Sequence, residues 1–295
     1  MATLSEQANN IWIYLLAVLV IAGRQHGLFI MVHEGVHKHL AARKRWNDRI
    51  ANWLAAYPVL FDMDTYRETH YRHHEHLNTD KDPDWIRKKD LAEWNFPVTK
   101  AKIAAFLPYF MIFAGLKEWC QIVLFYSGLT RRETFTSSML RKRLIKKTLF
   151  FALAATIITA LHGWSMVFLY WIAPLFLVFP LLQRIRSVGE HFGLPREHEL
   201  NSSRDITSGP LENSLFSPHN VNLHLCHHLY PAIPSYNLPT AHRTLMQKPN
   251  FAASAHVNDS YVLFGKSVLR DLTSSSSTAS AAPGSPERID LSKAS

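Results

Sequence analysis

Apolar residues along this chain are bunched into runs, and charge crowds the stretches between them. That pattern suits a protein that crosses a bilayer and carries sizeable polar parts outside it. Residues 11–32 (IWIYLLAVLVIAGRQHGLFIMV) are long enough to span a membrane as a helix, and Arg24, Gln25 and His26 inside the run are expected to face protein rather than lipid. The apolar patch at 51–61 is too short to cross and contains Pro58, which places it at the interface. Residues 103–126 have the length of a span, but Pro108, Lys117 and Glu118 interrupt them, and this segment is also read as interfacial. Two further apolar runs, 148–162 and 165–182, flank His162-Gly163-Trp164 and predict a tight helical hairpin through the bilayer. From 183 onward the chain is polar with short apolar islands, and the segment 273–295, rich in Ser and Ala with Pro283 and Pro286, is predicted to be disordered. The expected fold is all-α: a multi-pass membrane helical domain over 1–272 followed by that tail.

Charge changes the picture little. The formal net charge is +9, and a basic chain first suggests nucleic acid. Here, however, Arg43, Lys44, Arg45 and Arg49 follow the first apolar run and the basic stretch 131–147 precedes the hairpin. Basic residues beside apolar segments fit the positive-inside bias and contact with anionic headgroups, so no nucleic-acid partner is expected. The two cysteines, Cys120 and Cys226, are too few for a disulfide framework or an iron–sulfur cluster. The first ten residues lack a basic region and contain Glu6, Asn9 and Asn10, so no cleavable signal peptide is read there.

Histidine is the unusual residue, at 17 copies. Three clusters stand out. HEGVH sets His33 and His37 four apart, on one helical face about a turn from each other. HYRHH holds His70, His73 and His74, and HLCHH holds His224, His227 and His228. The pattern H-x-x-H-H thus occurs twice, where roughly 0.06 copies are expected by chance at this composition. His191, directly after Glu190 at the exit of the last apolar run, is a further candidate ligand. Adjacent histidines bring no packing advantage, whereas imidazole suits Fe, Zn, Cu and Ni. Eight or nine of them exceed what one metal can take and suit two. Isolated His26, His162, His198, His242 and His256 are read as ordinary hydrogen-bonded residues, and His39, His76 and His219 as outer or surface residues. Ligand imidazoles need their second ring nitrogen held, and Glu34, Glu68, Glu75, Asp84 and Glu190 are the candidate partners, with DPD (82–84) equally readable as a turn.

A shared site requires every cluster on one side of the membrane. The first lies at the exit of span 11–32, and the hairpin crosses twice and returns the chain to that side, provided that 103–126 does not cross. The basic stretch 131–147 supports that parity.

These motifs resemble the membrane fatty acid desaturase and hydroxylase superfamily, specifically its compact bacterial-type members. The resemblance runs from about Gly23 to Arg243 and includes HYRHHEHLNTDKDPDW (70–85), RSVGEHFG (186–193) and HNVNLHLCHHLYPAIPSYNLP (219–239). It implies a di-iron centre in a cytosolic cap lined by His33, His37, His70, His73, His74, His224, His227 and His228, with His191 as the extra histidine after the last membrane helix. The sequence departs from the family pattern in having one apolar run rather than two before or around the first cluster, and in carrying Cys226 where close relatives often have Glu or Gln.

The implied activity is O2-dependent desaturation of an acyl or alkyl chain by an integral membrane protein of a bacterial inner membrane. Removing hydrogen from an unactivated alkyl carbon is beyond ordinary side-chain acids and bases, and metal-activated O2 supplies that power. No haem, flavin or multi-cysteine segment is visible, so electrons are expected from a separate ferredoxin, rubredoxin or cytochrome-type donor, for which a basic face suits an acidic partner. Three rival readings exist. HEGVH matches the H-E-x-x-H of zinc proteases, with Glu34 as base, but leaves both H-x-x-H-H clusters unexplained. A related di-iron hydroxylase acting on a lipid or small molecule shares the hydrogen-abstraction step. A metal transporter would want polar residues inside its spans, and 148–182 is almost purely apolar.

Overall fold

In the computed structural model, residues 10–109, 113, 115–126, 136–262 and 264–273 are described. Helices dominate: α1 (Ile11–Val36), α2 (Lys44–Ile50), α3 (Met63–Glu75), α4 (Lys100–Tyr109), α5 (Gly115–Tyr126), α6 (Ser137–Ala160), α7 (Trp164–His191), α8 (Pro210–Phe216), α9 (His224–Leu229), α10 (Leu238–Met246) and α11 (Val268–Thr273). The all-α expectation therefore holds, with one small exception: Asp205–Ile206 pairs in parallel with Val257–Asn258. Two-residue strands leave no periodicity for a sequence to show. The predicted tail lies outside the described residues apart from Thr273, which ends α11.

The chain divides into two units, residues 1–66 with 109–182, and 67–108 with 183–295. In the first, α1 opens on Asn10, whose side chain accepts from Trp12 N at 2.9 Å. Gln25 and His26 are fully buried, and Gln25 Nε2 donates to Trp171 O at 2.8 Å. Arg24 departs from expectation: it is exposed. Three consecutive residues span most of a helical turn, so one sequence run cannot put all three on the protein face.

Residues 51–56, read as interfacial, continue α2 as a π-helical stretch packed against α1. A Cβ on Gly35 would collide with Ala51, so the close approach of the two segments requires glycine there. Asn47 secures it, donating to Gly35 O at 2.8 Å. Within the segment 103–126, α4 is described as far as Tyr109 and α5 from Gly115, with Phe113 in π-helical geometry between them. On α5, Trp119 and Tyr126 are buried against Phe61, at ring distances of 5.8 and 5.1 Å, while Lys117 is exposed.

A turn between two helices falls where expected, with His162 at φ 51° between α6 and α7. α1 and α7 are long and apolar enough to cross a membrane. α6 is nearly as long, but it starts at Ser137 rather than 148 and so takes in Arg141, Lys142, Arg143, Lys146 and Lys147. Arg143 and Lys147 pair with buried Asp62, the latter at 3.1 Å. No residue of α6 is buried, and Leu144, Leu149, Leu153 and Ile157 lie exposed on it, the kind of apolar surface that lipid covers.

The second unit has two apolar clusters. One gathers Trp94, Val188, Phe192, Ile206, Tyr261, Val268 and Leu272. The other gathers Leu200, Leu223, Leu225, Cys226, Leu238, Leu245 and Phe251. Its C-terminal end is tied down by Asp271, which receives His256 Nε2 at 2.7 Å and Asn258 Nδ2 at 2.9 Å. Burial lowers the His256 pKa, and hydrogen bonds from His256 and Asn258 hold Asp271 below the ordinary carboxylate range against the opposing effect of burial. Both groups therefore bind fewer protons folded than unfolded, so their contribution to stability is full above about pH 6.5 and declines as pH falls below it. Asp271→Ala should cost about 1–3 kcal/mol, read as a lower thermal midpoint in detergent. Because Asp271 raises the His256 pKa above where burial alone would set it, the gap between variant and parent should widen as pH falls from about 6.5 and shrink only as Asp271 itself protonates below about pH 4; a gap that shrinks from the start would contradict the assignment.

Candidate metal centre

Seven of the nine histidines singled out by sequence lie in the second unit: His70, His73 and His74 on α3, His191 at the end of α7, and His224, His227 and His228 on α9. The i, i+3, i+4 spacing turns all three rings of each H-x-x-H-H motif to one side of its helix. Four of the rings form one set. His191 Nε2 lies 3.2 Å from His73 Nε2 and 3.0 Å from His224 Nε2, and His228 Nε2 lies 3.2 Å from His224 Nε2. The other three meet at His74, whose Nε2 is 3.0 Å from His70 Nε2 and 3.1 Å from His227 Nε2. The two sets adjoin, with His74 and His228 ring centroids 4.3 Å apart.

Ring nitrogens this close pose a chemical problem. A neutral imidazole nitrogen is either donor or acceptor, so one Nε2 with two Nε2 neighbours cannot satisfy both by sharing a single proton. A cation between them removes the conflict. Imidazole–metal bonds of about 2.0–2.1 Å set ligands at right angles about 3 Å apart, the spacing found. The donor set therefore fits a metal in each group. Burial also keeps His228 neutral, the form that binds metal: it pushes that pKa well below its ordinary value, helped by the neighbouring imidazoles.

What holds the rings is partly what the sequence indicated and partly not. His73 Nδ1 lies 2.9 Å from Asp82 Oδ2, which fixes Nδ1 as the protonated nitrogen and leaves the Nε2 lone pair directed at the site. Burial opposes protonation of His73, but the Asp82 charge and hydrogen bond outweigh it and raise the pKa. Asp82 is itself buried and accepts from Asn78 N and Asp84 N at 2.9 and 2.8 Å. Sequence reasoning chose Asp84 instead, which pairs with Arg87 at 3.1 Å. The available signal was an Asp before Pro83, the N-cap position of a short helix.

Of the remaining candidates, Glu190 is buried, takes Arg186 Nε at 2.5 Å and lies 3.4 Å from His224 Nδ1. Glu75 is largely exposed and reaches only His76, at 3.8 Å, so it is a solvated acid. Glu68 is half-buried on α3.

In the first unit, His33 and His37 sit at the end of α1 with ring centroids 4.9 Å apart. Glu34 lies 3.5 Å from His33 Nδ1 and 3.2 Å from His39 Nδ1. His242, read as an ordinary hydrogen-bonded residue, is half-buried against Asp205, which sequence reasoning did not single out: His242 Nδ1 and Asp205 Oδ2 are 2.7 Å apart. Cys226 Sγ lies 2.9 Å from the same oxygen. Burial first, and the Asp205 charge next, push the thiol pKa up, so it remains an S–H donor.

A helical scaffold that converges imidazoles in two adjoining sets defines a class of histidine-rich proteins built to hold metal. The "Fatty acid desaturase" family profile matches residues 9–257, and the chain belongs to that family, whose members are membrane-associated oxidoreductases. Among similar proteins is a "Dihydrorhizobitoxine desaturase" of Bradyrhizobium elkanii, 30% identical over 86% of this chain and 73% of the relative. A chloroplastic "Omega-6 fatty acid desaturase" of Spinacia oleracea is 26% identical over 74% of this chain and 50% of its own. An "sn-1 oleoyl-lipid 12-desaturase" of Synechocystis is 25% identical over 75% and 65%, respectively. The chain thus spans half to three quarters of the length of these relatives.

If Asp82 orients His73, Asp82→Ala should weaken metal retention roughly 10- to 100-fold, measured by competition with a chelator. Asp84→Ala should leave it unchanged.

Proposed function

We propose that this chain is an O2-dependent di-iron desaturase that introduces a carbon–carbon double bond into an acyl or alkyl chain. The observation that carries the reading is the convergence of seven imidazoles, through their Nε2 atoms, in two sets of metal-ligand spacing. His73, His191, His224 and His228 would hold one iron, and His70, His74 and His227, with His33 and His37, the other. The i, i+4 spacing of the last two and the family pattern support their place in the set. Bound iron supplies the O2 activation needed to take hydrogen from an unactivated carbon. The protein's part is to fix the His73 tautomer through Asp82 and to exclude water by burying His70, His73, His191, His224 and His227. The H-E-x-x-H protease reading loses support, because Glu34 faces His33 and His39 and the family explains the motif.

The chain is further proposed to be an integral, multi-pass protein of a bacterial inner membrane, with domain 1–272 entering the bilayer through α1, the apolar part of α6, and α7, and the histidines on the cytosolic face. Electrons would arrive from a separate ferredoxin, rubredoxin or cytochrome-type donor. The relatives' names favour two substrate classes, acyl lipids in the plant and cyanobacterial proteins and dihydrorhizobitoxine in the other. A hydroxylase of the same centre is the alternative reaction.

Expression in a host of known lipid composition, with mass spectrometry of lipids and small metabolites, tests the reading. New double bonds in acyl chains that vanish in His227→Ala are expected. New hydroxyl groups would replace desaturation by hydroxylation, and a change confined to a small metabolite would replace the acyl substrate. Metal analysis should return two irons per chain, whereas one zinc would end the di-iron assignment. Turnover with an acidic donor should fall as salt rises.

A further inference from the structure

We propose that Asp205, held by His242, is a positioning residue for the metal centre, acting as an N-cap supplied from a distant strand to the short helix that carries His224, His227 and His228. This rests on the metal-binding reading above.

Helix α9 has six residues and presents three of the seven clustered imidazoles. A helix so short is not stable alone, and its first N–H groups need acceptors. Its own N-cap position, Leu223, makes no side-chain hydrogen bond. The missing acceptors come instead from residues about twenty positions upstream. Arg204 O accepts from Leu225 N at 3.2 Å, and Asp205 Oδ1 accepts from Cys226 N at 3.1 Å. Cys226 is the third residue of the helix, the position whose N–H an N-cap side chain ordinarily takes. A buried carboxylate there also faces the positive end of the helix.

The second oxygen of Asp205 is equally committed. Oδ2 lies 2.7 Å from His242 Nδ1, on α10, and 2.9 Å from Cys226 Sγ. Asp205 is fully buried, and its backbone is paired with Val257 and bridged to Leu223. Its carboxylate is thus fixed by the small sheet on one side and by α10 on the other, and α9 takes its register from it. Because His224 and His228 belong to one histidine set and His227 to the other, this single carboxylate orients ligands of both.

Asp205, Cys226 and His242 also form a donor set of the kind that takes zinc. The 2.7 Å oxygen–nitrogen separation is that of a hydrogen bond, shorter than two ligands of one metal stand apart, and Asp205 Oδ1 is already engaged. The geometry is that of a hydrogen-bonded network.

The test titrates ferrous ion anaerobically into full-length protein in detergent and compares parent, Asp205→Ala, Asp205→Asn, His242→Ala, the double variant Asp205→Ala/His242→Ala, and Cys226→Ser. Helix content and the melting of the metal-free protein are followed in parallel. Asp205→Ala should weaken iron affinity about tenfold or more while the metal-free protein stays helical and melts close to the parent. His242→Ala should give a smaller loss, and the double variant should be no worse than Asp205→Ala, because His242 acts through Asp205. Cys226→Ser, which keeps a donor, should retain the parent affinity. Parent affinity in both Asp205 variants would overturn the proposal. So would losses that merely track earlier melting of the metal-free protein across the series, since that is a structural role. A third metal lost alike from Cys226→Ser and His242→Ala would overturn it in favour of a separate metal site. Failure of the parent to bind iron would overturn this proposal and the di-iron reading together, whereas unchanged binding in the Asp205 variants sinks this one alone.

Discussion

Seven ring nitrogens gathered in two adjoining sets, with neighbours in each set at hydrogen-bond distance, are the constraint on which the second unit depends. Imidazoles do not gather this way for their own sake. Each buried ring gives up hydration, and their nitrogens cannot all pair among themselves. The cost is offset by structure that holds each ring from behind: Asp82 on His73, Glu190 near His224, and the two-residue sheet that anchors Asp205 beneath α9. Three segments far apart in sequence must meet there, and none is long enough after residue 191 to be stable by itself. The two apolar clusters of this unit and its ties between loops supply what local helix formation does not.

The first unit answers a different requirement. Its outer surface is apolar over long stretches of α1, α6 and α7, so its polar groups must be satisfied inside. Gln25 meets Trp171 O, Trp171 Nε1 meets Pro58 O at 2.9 Å, and Asn47 ties α2 to the end of α1. Asp62, buried between α6 residues Arg143 and Lys147, anchors the basic end of the hairpin. The basic residues near the apolar runs therefore have two fates. Some reach solvent, and these two turn inward to a carboxylate.

Local spacing made the histidine clusters legible, because i, i+3 and i, i+4 neighbours share a face whatever the tertiary fold. The length of apolar runs likewise located α1 and the turn between α6 and α7. What stayed hidden depends on capping and long-range contact. Asp82 and Asp84 are equivalent as letters in DPD, yet the residue before proline points its carboxylate back over the helix start while the one after it faces Arg87. Asp205 and His242 meet only because a two-residue strand and a separate helix fold around α9. The burial of Gln25 and His26 but not Arg24 is fixed by helical phase against partners the sequence does not name.

Cys226 shows how a side chain between ligands can belong to the support behind them. A carboxylate at 226 would stand against Asp205 with like charge. A buried pair of carboxylates keeps only one ionised, so such a site must share a proton. With a thiol in place, Asp205 receives three donors, the Cys226 N–H, the Cys226 S–H and His242. The thiol points away from the converging Nε2 atoms and packs in the apolar cluster with Leu225, Leu238 and Leu245. Cys226 therefore belongs to the network behind α9, and the three imidazoles on the helix keep the face that their spacing gives them.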